Sequence, residues 1–200
     1  MIKRILKSGL LLFVFTLVSI FFVSWTQSTT KEQITHNEEQ LLIKRLSELV
    51  SGYDNDILKD KYSKSINLHG IIQTINIFPA KKDEQVFAYL IEHTYPNGYS
   101  GNIRLLTGVG VDHQLLGVRV ITHKETPGLG DKIETRKSNW IEQFSGLSLS
   151  NPSKDNWKVK RDGGVFDSFT GATITPRAVV TASYQVLEFF SKQDLLKNKK

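Results

Sequence analysis

Thr170, Thr173 and Thr175 crowd the mouth of the last expected helix, in the run Asp167-Ser168-Phe169-Thr170-Gly171-Ala172-Thr173-Ile174-Thr175-Pro176. The start of a helix leaves backbone N–H groups unpaired and carries the positive end of the macrodipole, so it favours an anion. A phosphate attached at Thr173 would sit two residues before the expected cap and feel that field. Ordinary capping explains the same residues, because Thr175 is a good N-cap and Pro176 suits the first helical position. Both readings stand on the residues alone.

A second run, His123-Lys124-Glu125-Thr126-Pro127-Gly128-Leu129-Gly130, has loop chemistry of its own. Pro127 fixes φ, while Gly128 and Gly130 permit positive φ and remove side-chain bulk. Such a loop lets backbone amides approach a flat ligand. It also serves as a tight connection between strand and helix, and composition does not decide between the two.

Other chemistries are thinly supported. The chain has no cysteine, which excludes thiolate-held iron–sulfur clusters, disulfides and cysteine nucleophiles. His36, His69, His93, His113 and His123 are scattered without metal-ligand spacing, so no metal site is expected. Gly108-Val109-Gly110 lacks the third glycine of a dinucleotide fingerprint, and Gly128-Leu129-Gly130 does not open a strand–helix unit. No G-x-S-x-G elbow appears, and no catalytic nucleophile is expected.

The formal charge is +6. Lys3, Arg4 and Lys7 supply half of it, and Lys197, Lys199 and Lys200 the rest, leaving residues 8–196 neutral. A nucleic-acid groove needs its charge inside the folded domain, so none is expected. No charged residue occurs from Ser8 to Thr30, and Leu10–Trp25 is almost wholly apolar. At ~1.5 Å per residue, about twenty helical residues cross a hydrocarbon core of about 30 Å. The basic residues ahead of the span predict a cytoplasmic N-terminus, with the rest of the chain on the outer (periplasmic) side of a bacterial inner membrane. A cleaved signal peptide is the alternative. The length of the apolar run and the lack of an A-x-A-like site argue for a retained single-pass anchor.

Behind the anchor, Leu42, Leu46, Leu49 and Val50 recur at helical spacing before Ser51-Gly52. Tyr53–Leu68 is polar, mixed and expected to be irregular. His69–Phe78, Gln85–Tyr95, Asn102–Val111 and Gln114–His123 alternate as strands, the last three forming an antiparallel meander. Turn chemistry at Pro79-Ala80-Lys81, Pro96-Asn97-Gly98 and Asp112-His113 separates them. Gly108, Gly110 and Gly117 weaken these strands and suggest bulges or close backbone approach. Ile133, Trp140, Ile141 and Phe144 fit a helical face, Trp157–Arg161 a short strand, and Ala178, Val179, Ala182, Val186, Phe189 and Phe190 the stripe of a final helix. The fold class is α+β. The expected organisation is a cytoplasmic tail at 1–7, an anchor at 8–30, a connecting helix and irregular segment at 31–68, one folded domain at 69–193 and a basic tail at 194–200.

Together the two runs resemble the covalent-FMN-binding domain family. There D-x-x-(S/T)-G-A-T is the acceptor, and its last threonine is joined to FMN through a phosphodiester. Asp167, Thr170, Gly171, Ala172 and Thr173 complete that pattern, and residues 123–130 carry the H-x-E-T-P-G-L-G loop of the family's flavin site. With the anchor and the TGATITPRAV form, the likeness is greatest to G subunits of Rnf-type (Rsx) ion-translocating electron-transport complexes. The resemblance implies a flavoprotein that relays electrons between membrane subunits and is not a stand-alone catalyst. FMN sits on Thr173 as a phosphothreonyl ester, placed there from FAD by a separate flavin transferase that releases AMP. Cofactor contacts are implied for Asp167, Thr170, Gly171, Ala172, Thr175, Glu125, Thr126, Pro127, Gly128, Leu129 and Gly130. Covalent attachment suits an external compartment with no FMN pool. The C subunit of the Na⁺-translocating NADH:quinone reductase shares both motifs, with SGATLT expected in place of TGATIT. An anchored, non-redox scaffold with an unmodified Thr173 is the alternative of another class.

Overall fold

The chain divides after Ile43 into an N-terminal helical unit and a second compact unit beginning at Lys44. A computed structural model describes residues 2–192; Met1, Gln193 and the basic tail at 194–200 lie outside the described residues.

Helix α1 spans Ile2–Leu49, so the connecting helix expected after residue 31 continues the apolar run without a break. Among the described residues it is the one helix long and apolar enough to cross a membrane. Leu11 is 70% and Phe15 69% exposed, a surface that water penalises and hydrocarbon does not. Several hydroxyl side chains along α1 bond to the carbonyl one turn back. Thr16 donates to the Leu12 carbonyl at 2.8 Å, Ser19 to Phe15 at 2.9 Å and Thr26 to Phe22 at 2.8 Å.

The second unit is built on a five-stranded antiparallel sheet in sequential order: β1 (Tyr62–Leu68), β2 (Ile71–Lys82), β3 (Gln85–Tyr95), β4 (Ile103–Gly110) and β5 (Leu115–Thr122). The meander is longer than expected at its start. Residues 62–68, expected to be irregular, form β1, and His69-Gly70 is the hairpin turn, with φ of 61° and 77°. Ser63, Lys64 and Ser65 hid this strand, because only Ile66 and Leu68 carry its buried face.

β2 also runs through the expected break at Pro79. β1 pairs with β2 only as far as Ile77, and the Pro79 carbonyl accepts a hydrogen bond from Asn55 Nδ2 at 3.0 Å. The proline ring nitrogen therefore faces the unpaired side of the strand, where no donor is missed.

One sheet face supplies Ile75, Ile77, Ile91, Leu105, Val109, Val118 and Val120 to the main core. Helix α2 (Ile174–Lys192) closes that core with Val179, Ala182, Val186 and Phe190. On the other face Phe78, Leu90 and Leu106 are fully buried, and the last turn of α1 packs there through Leu46 and Leu49. The paired glycines Gly108 and Gly117 make a slot for Leu49; a Cβ on Gly117 would lie 2.9 Å from its Cδ2.

Between β5 and α2 the chain is mostly turns. Ile133, Trp140, Ile141 and Phe144 are buried as expected, but on two 3-10 turns, Gly130–Ile133 and Trp140–Phe144. The polar stretch Thr135–Asn139 has no apolar residue to carry a longer helix across. The strand expected at Trp157–Arg161 reduces to a single bridge, Val159 with Phe166, followed by a 3-10 turn at Lys160–Asp162.

Candidate functional site

The run from Asp167 to Thr175 is held from both ends. Phe169 inserts beside Trp140, ring centroids 5.2 Å apart, and Trp140 Nε1 donates to the Asp167 carbonyl at 2.8 Å. The chain then reverses. Ala172 N–H donates to the Phe169 carbonyl at 3.0 Å, with Gly171 at φ 79° in the third turn position. That position of a type II turn demands positive φ, which explains glycine in the run. Asp167 pairs with Lys160 at 2.7 Å, well out in solvent, and Thr170 is exposed.

The start of α2 corrects the expected cap. The Arg177 N–H donates to the Thr173 carbonyl at 3.2 Å, and the helix begins at Ile174. Thr173, not Thr175, is therefore the capping position. Thr175 lies within the first turn, buried, and its hydroxyl donates to the Glu125 carboxylate. A group on Thr173 would sit at the cap itself, closer to the unpaired N–H groups than the sequence suggested.

The second run meets the first through Glu125. Its buried carboxylate also accepts the N–H groups of Tyr99 at 3.3 Å and Ser100 at 3.0 Å. One acidic side chain thus joins the 96–101 turn, the 125–130 loop and the start of α2. The loop is a tight turn. The Thr126 carbonyl accepts from both Leu129 N–H and Gly130 N–H at 3.1 Å, and Gly128 has φ 79°. At its base, His123 Nδ1 accepts the Glu125 N–H at 3.0 Å, which places the ring proton on Nε2, 2.8 Å from Glu134 Oε1. Burial works to raise the Glu134 carboxyl, but hydrogen bonds from Arg136 and His123 outweigh it and hold the group below its ordinary value.

The glycines divide differently from the expectation. Beside Gly128 there is open space, so its role is conformational. Gly130 is where atoms approach closely: a Cβ there would lie 2.8 Å from Thr175 Oγ1 and 2.9 Å from Glu125 Cβ.

A cavity of about 490 Å³ opens where the two runs converge, lined by Glu125, Thr126, Leu129, Gly130 and Gly171–Thr175. Asp167, Thr170, Pro127 and Gly128 are not among its lining residues. Tyr99 and Arg161 are, and nothing in the sequence pattern marked them. Arg161 Nη1 donates to Thr173 Oγ1 at 3.3 Å. Tyr99 (67% exposed), Leu129 and Ile174 make an apolar rim. Chemically the cavity combines a cation and a helix N-terminus with apolar side chains. That donor set fits a molecule with a phosphate and a flat ring system such as FMN. Among the described residues no cluster of side chains could hold a metal ion.

Comparison with known proteins agrees with this geometry. Residues 98–188 match the FMN-binding domain family, and residues 1–49 match the RnfG N-terminal region. The chain is 41% identical over 194 residues to the G subunit of the ion-translocating oxidoreductase complex of Vibrio cholerae serotype O1, covering 96% of this chain and 93% of the relative. It is 42% identical to the protein of the same name from Shewanella amazonensis, covering 94% and 89%, and 41% identical to that from Pseudomonas aeruginosa, covering 94% and 89%. The relatives are G subunits, which separates the chain from the C-subunit alternative. With likeness of this extent along nearly its whole length, the chain belongs to the family of ion-translocating oxidoreductase complex G subunits, with an FMN-binding domain.

Proposed function

We propose that this protein is a membrane-anchored electron carrier of an ion-translocating complex, holding FMN by a phosphodiester on Thr173 on the outer side of the membrane. The observation that carries the reading is the position of Thr173. It is the capping residue of α2, half-buried in the lining of the cavity, with a guanidinium on its hydroxyl. Attachment by a flavin transferase forms the Oγ1–P bond and breaks the P–O–P bond of FAD, with AMP leaving and the hydroxyl proton passing to base. Thr173 is then a modified residue and takes no part in turnover. Bound FMN supplies one- and two-electron chemistry, while the protein supplies place, orientation and electrostatics. The α2 N-terminus and Arg161 would face the phosphoryl group, and Leu129, Tyr99 and Ile174 the ring system. Glu125, itself in the lining, holds the three segments together.

Residues 8–30 would span the membrane, with 1–7 cytoplasmic and 69–193 forming the external flavin domain. The neighbouring subunits of the complex are its electron partners. Against the scaffold alternative stands the match to the FMN-binding family.

The test is chemical. Full-length protein produced beside a flavin transferase keeps a fluorescent band after acid denaturation, and Thr173→Ala has none. A flavinylated peptide mapping to Thr170 or Thr175 overturns the assignment. For orientation, alkaline phosphatase fused after Lys200 is active and a fluorescent protein that needs the cytoplasm is dark; the reverse pattern refutes an external domain.

A further inference from the structure

We infer that Arg161 is the positioning residue for the phosphoryl group on Thr173, an assignment that rests on the attachment reading above. Of the cations around the 160–162 turn and the start of α2 (Lys158, Lys160, Arg161 and Arg177), two are engaged in ion pairs. Lys160 pairs with Asp167 at 2.7 Å, and Arg177 grips Asp162 at 2.6 and 2.9 Å. Arg161 makes no salt bridge among the described residues, and its Nη1 lies 3.3 Å from Thr173 Oγ1. A phosphodiester carries one negative charge, and although Arg161 and Lys158 both act on Asp162, Arg161 is the cation with a hydrogen bond to the Thr173 hydroxyl.

The backbone beneath Arg161 is fixed even though its head is exposed. Val159 bridges to Phe166, and Lys160 N–H donates to the Phe166 carbonyl at 2.7 Å. Gly163 closes the turn with φ 85°, and Phe166 packs on Trp157 with ring centroids 5.3 Å apart. A guanidinium held this way presents a planar fork of donors, which matches two oxygens of one phosphoryl group. The same contact distinguishes the acceptor from its neighbour. The Thr175 hydroxyl is buried and committed to Glu125, while the Thr173 hydroxyl is held at the cavity by Arg161.

The experiment uses the full chain in detergent, coexpressed with a flavin transferase, in wild-type, Arg161→Gln, Arg161→Lys and Lys158→Gln forms. Two quantities are read: the initial rate of covalent labelling, and the ³¹P resonance of the phosphodiester in folded and urea-denatured protein. Arg161→Gln is expected to slow labelling by about tenfold and to move the folded resonance towards its denatured position, as loss of a charge-assisted contact requires. Arg161→Lys restores the rate to within about threefold, because the charge returns without the fork. Lys158→Gln, an exposed cation outside the cavity, leaves both quantities at the wild-type value. An unchanged resonance and rate in Arg161→Gln overturn the proposal while leaving the attachment site standing. An equal response in Lys158→Gln overturns it too, since a diffuse basic field would then suffice. Should Arg161→Gln fail to fold, the Lys variant decides: a resonance identical to wild type excludes a bidentate contact. Wild-type protein without flavin on Thr173 removes the attachment reading itself.

Discussion

Gly128 and Gly130 stand two positions apart and answer to different constraints. An alanine at 128 must hold φ near 79° in open space, at a cost of about 1–2 kcal/mol from the backbone alone. An alanine at 130 drives its Cβ against Thr175 Oγ1 and Glu125 Cβ, at about 1–3 kcal/mol of overpacking. Both variants melt earlier. Only Gly130→Ala is expected to shift the visible flavin spectrum, because it loosens the Glu125–Thr175 tie beside the cap. A spectrum perturbed in Gly128→Ala and unaltered in Gly130→Ala contradicts that division. At this scale the turn chemistry of the two runs was legible, since positive φ at Gly128 and close approach at Gly130 dictate glycine there. The roles of Thr175 and Arg161 were not. A threonine followed by proline satisfies the local rules for a cap, and only the carboxylate 50 residues away turns its hydroxyl inward. Arg161 stands beside other cations in a charged stretch, and nothing local distinguishes the one that bridges to Thr173.

The elements meet through shape as much as through apolar area. Leu49, at the end of α1, is 8% exposed and enters the slot formed by Gly108 and Gly117 on adjacent strands. Leu49→Ala leaves a hole that paired glycines cannot fill, so a loss of about 2–4 kcal/mol is expected from the chemical midpoint. Gly108→Ala, whose Cβ would lie 3.2 Å from Leu116 Cβ and 3.7 Å from Leu49 Cβ, should cost less and should not add to Leu49→Ala. Full additivity of the two would mean that the slot is not a shared packing site. Helical spacing at Leu42, Leu46, Leu49 and Val50 and the stripe of α2 were legible because period and burial coincide. The glycines in β4 and β5 announced a close approach, but the approaching residue lies about 60 positions earlier in the chain, beyond any local pattern. The 3-10 turns between β5 and α2 bury the expected residues without the expected helix. Apolar spacing reports which side chains go inside more faithfully than it reports the backbone that carries them.

Within the second unit, a polar thread crosses between sheet and helix. His69 Nδ1 lies 2.5 Å from Gln185 Oε1 on α2, and its Nε2 lies 3.0 Å from His93 Nδ1 on β3. His93 Nε2 lies 2.9 Å from Thr107 Oγ1 on β4, and the Tyr95 ring stands edge-on to His69 at 5.1 Å. Because the amide oxygen only accepts, one set of protons satisfies every contact: His69 donates to Gln185, His93 to His69, and Thr107 to His93. Both rings are then neutral. Burial lowers the His93 imidazole well below its ordinary 6.5, the nearby His69 adding to this; burial lowers His69 as well, against the opposing bond to Gln185. With folded values below the unfolded one, the unfolded chain takes up protons first as the pH falls. The stability these histidines contribute is complete above about pH 6.5 and drains away below it, towards the lowered folded values. Each unit of depression is worth about 1.4 kcal/mol, so Tm is expected to be flat from pH 8.5 to 7.5 and to drop by about 3–6 °C by pH 5.5. His93→Gln keeps an amide in the thread but cannot titrate. It should melt lower than wild type at pH 8 and lose less on acidification, so that the two curves converge. A wild-type Tm that holds constant down to pH 5.5, or a His93→Gln curve parallel to wild type, would place the acid sensitivity elsewhere.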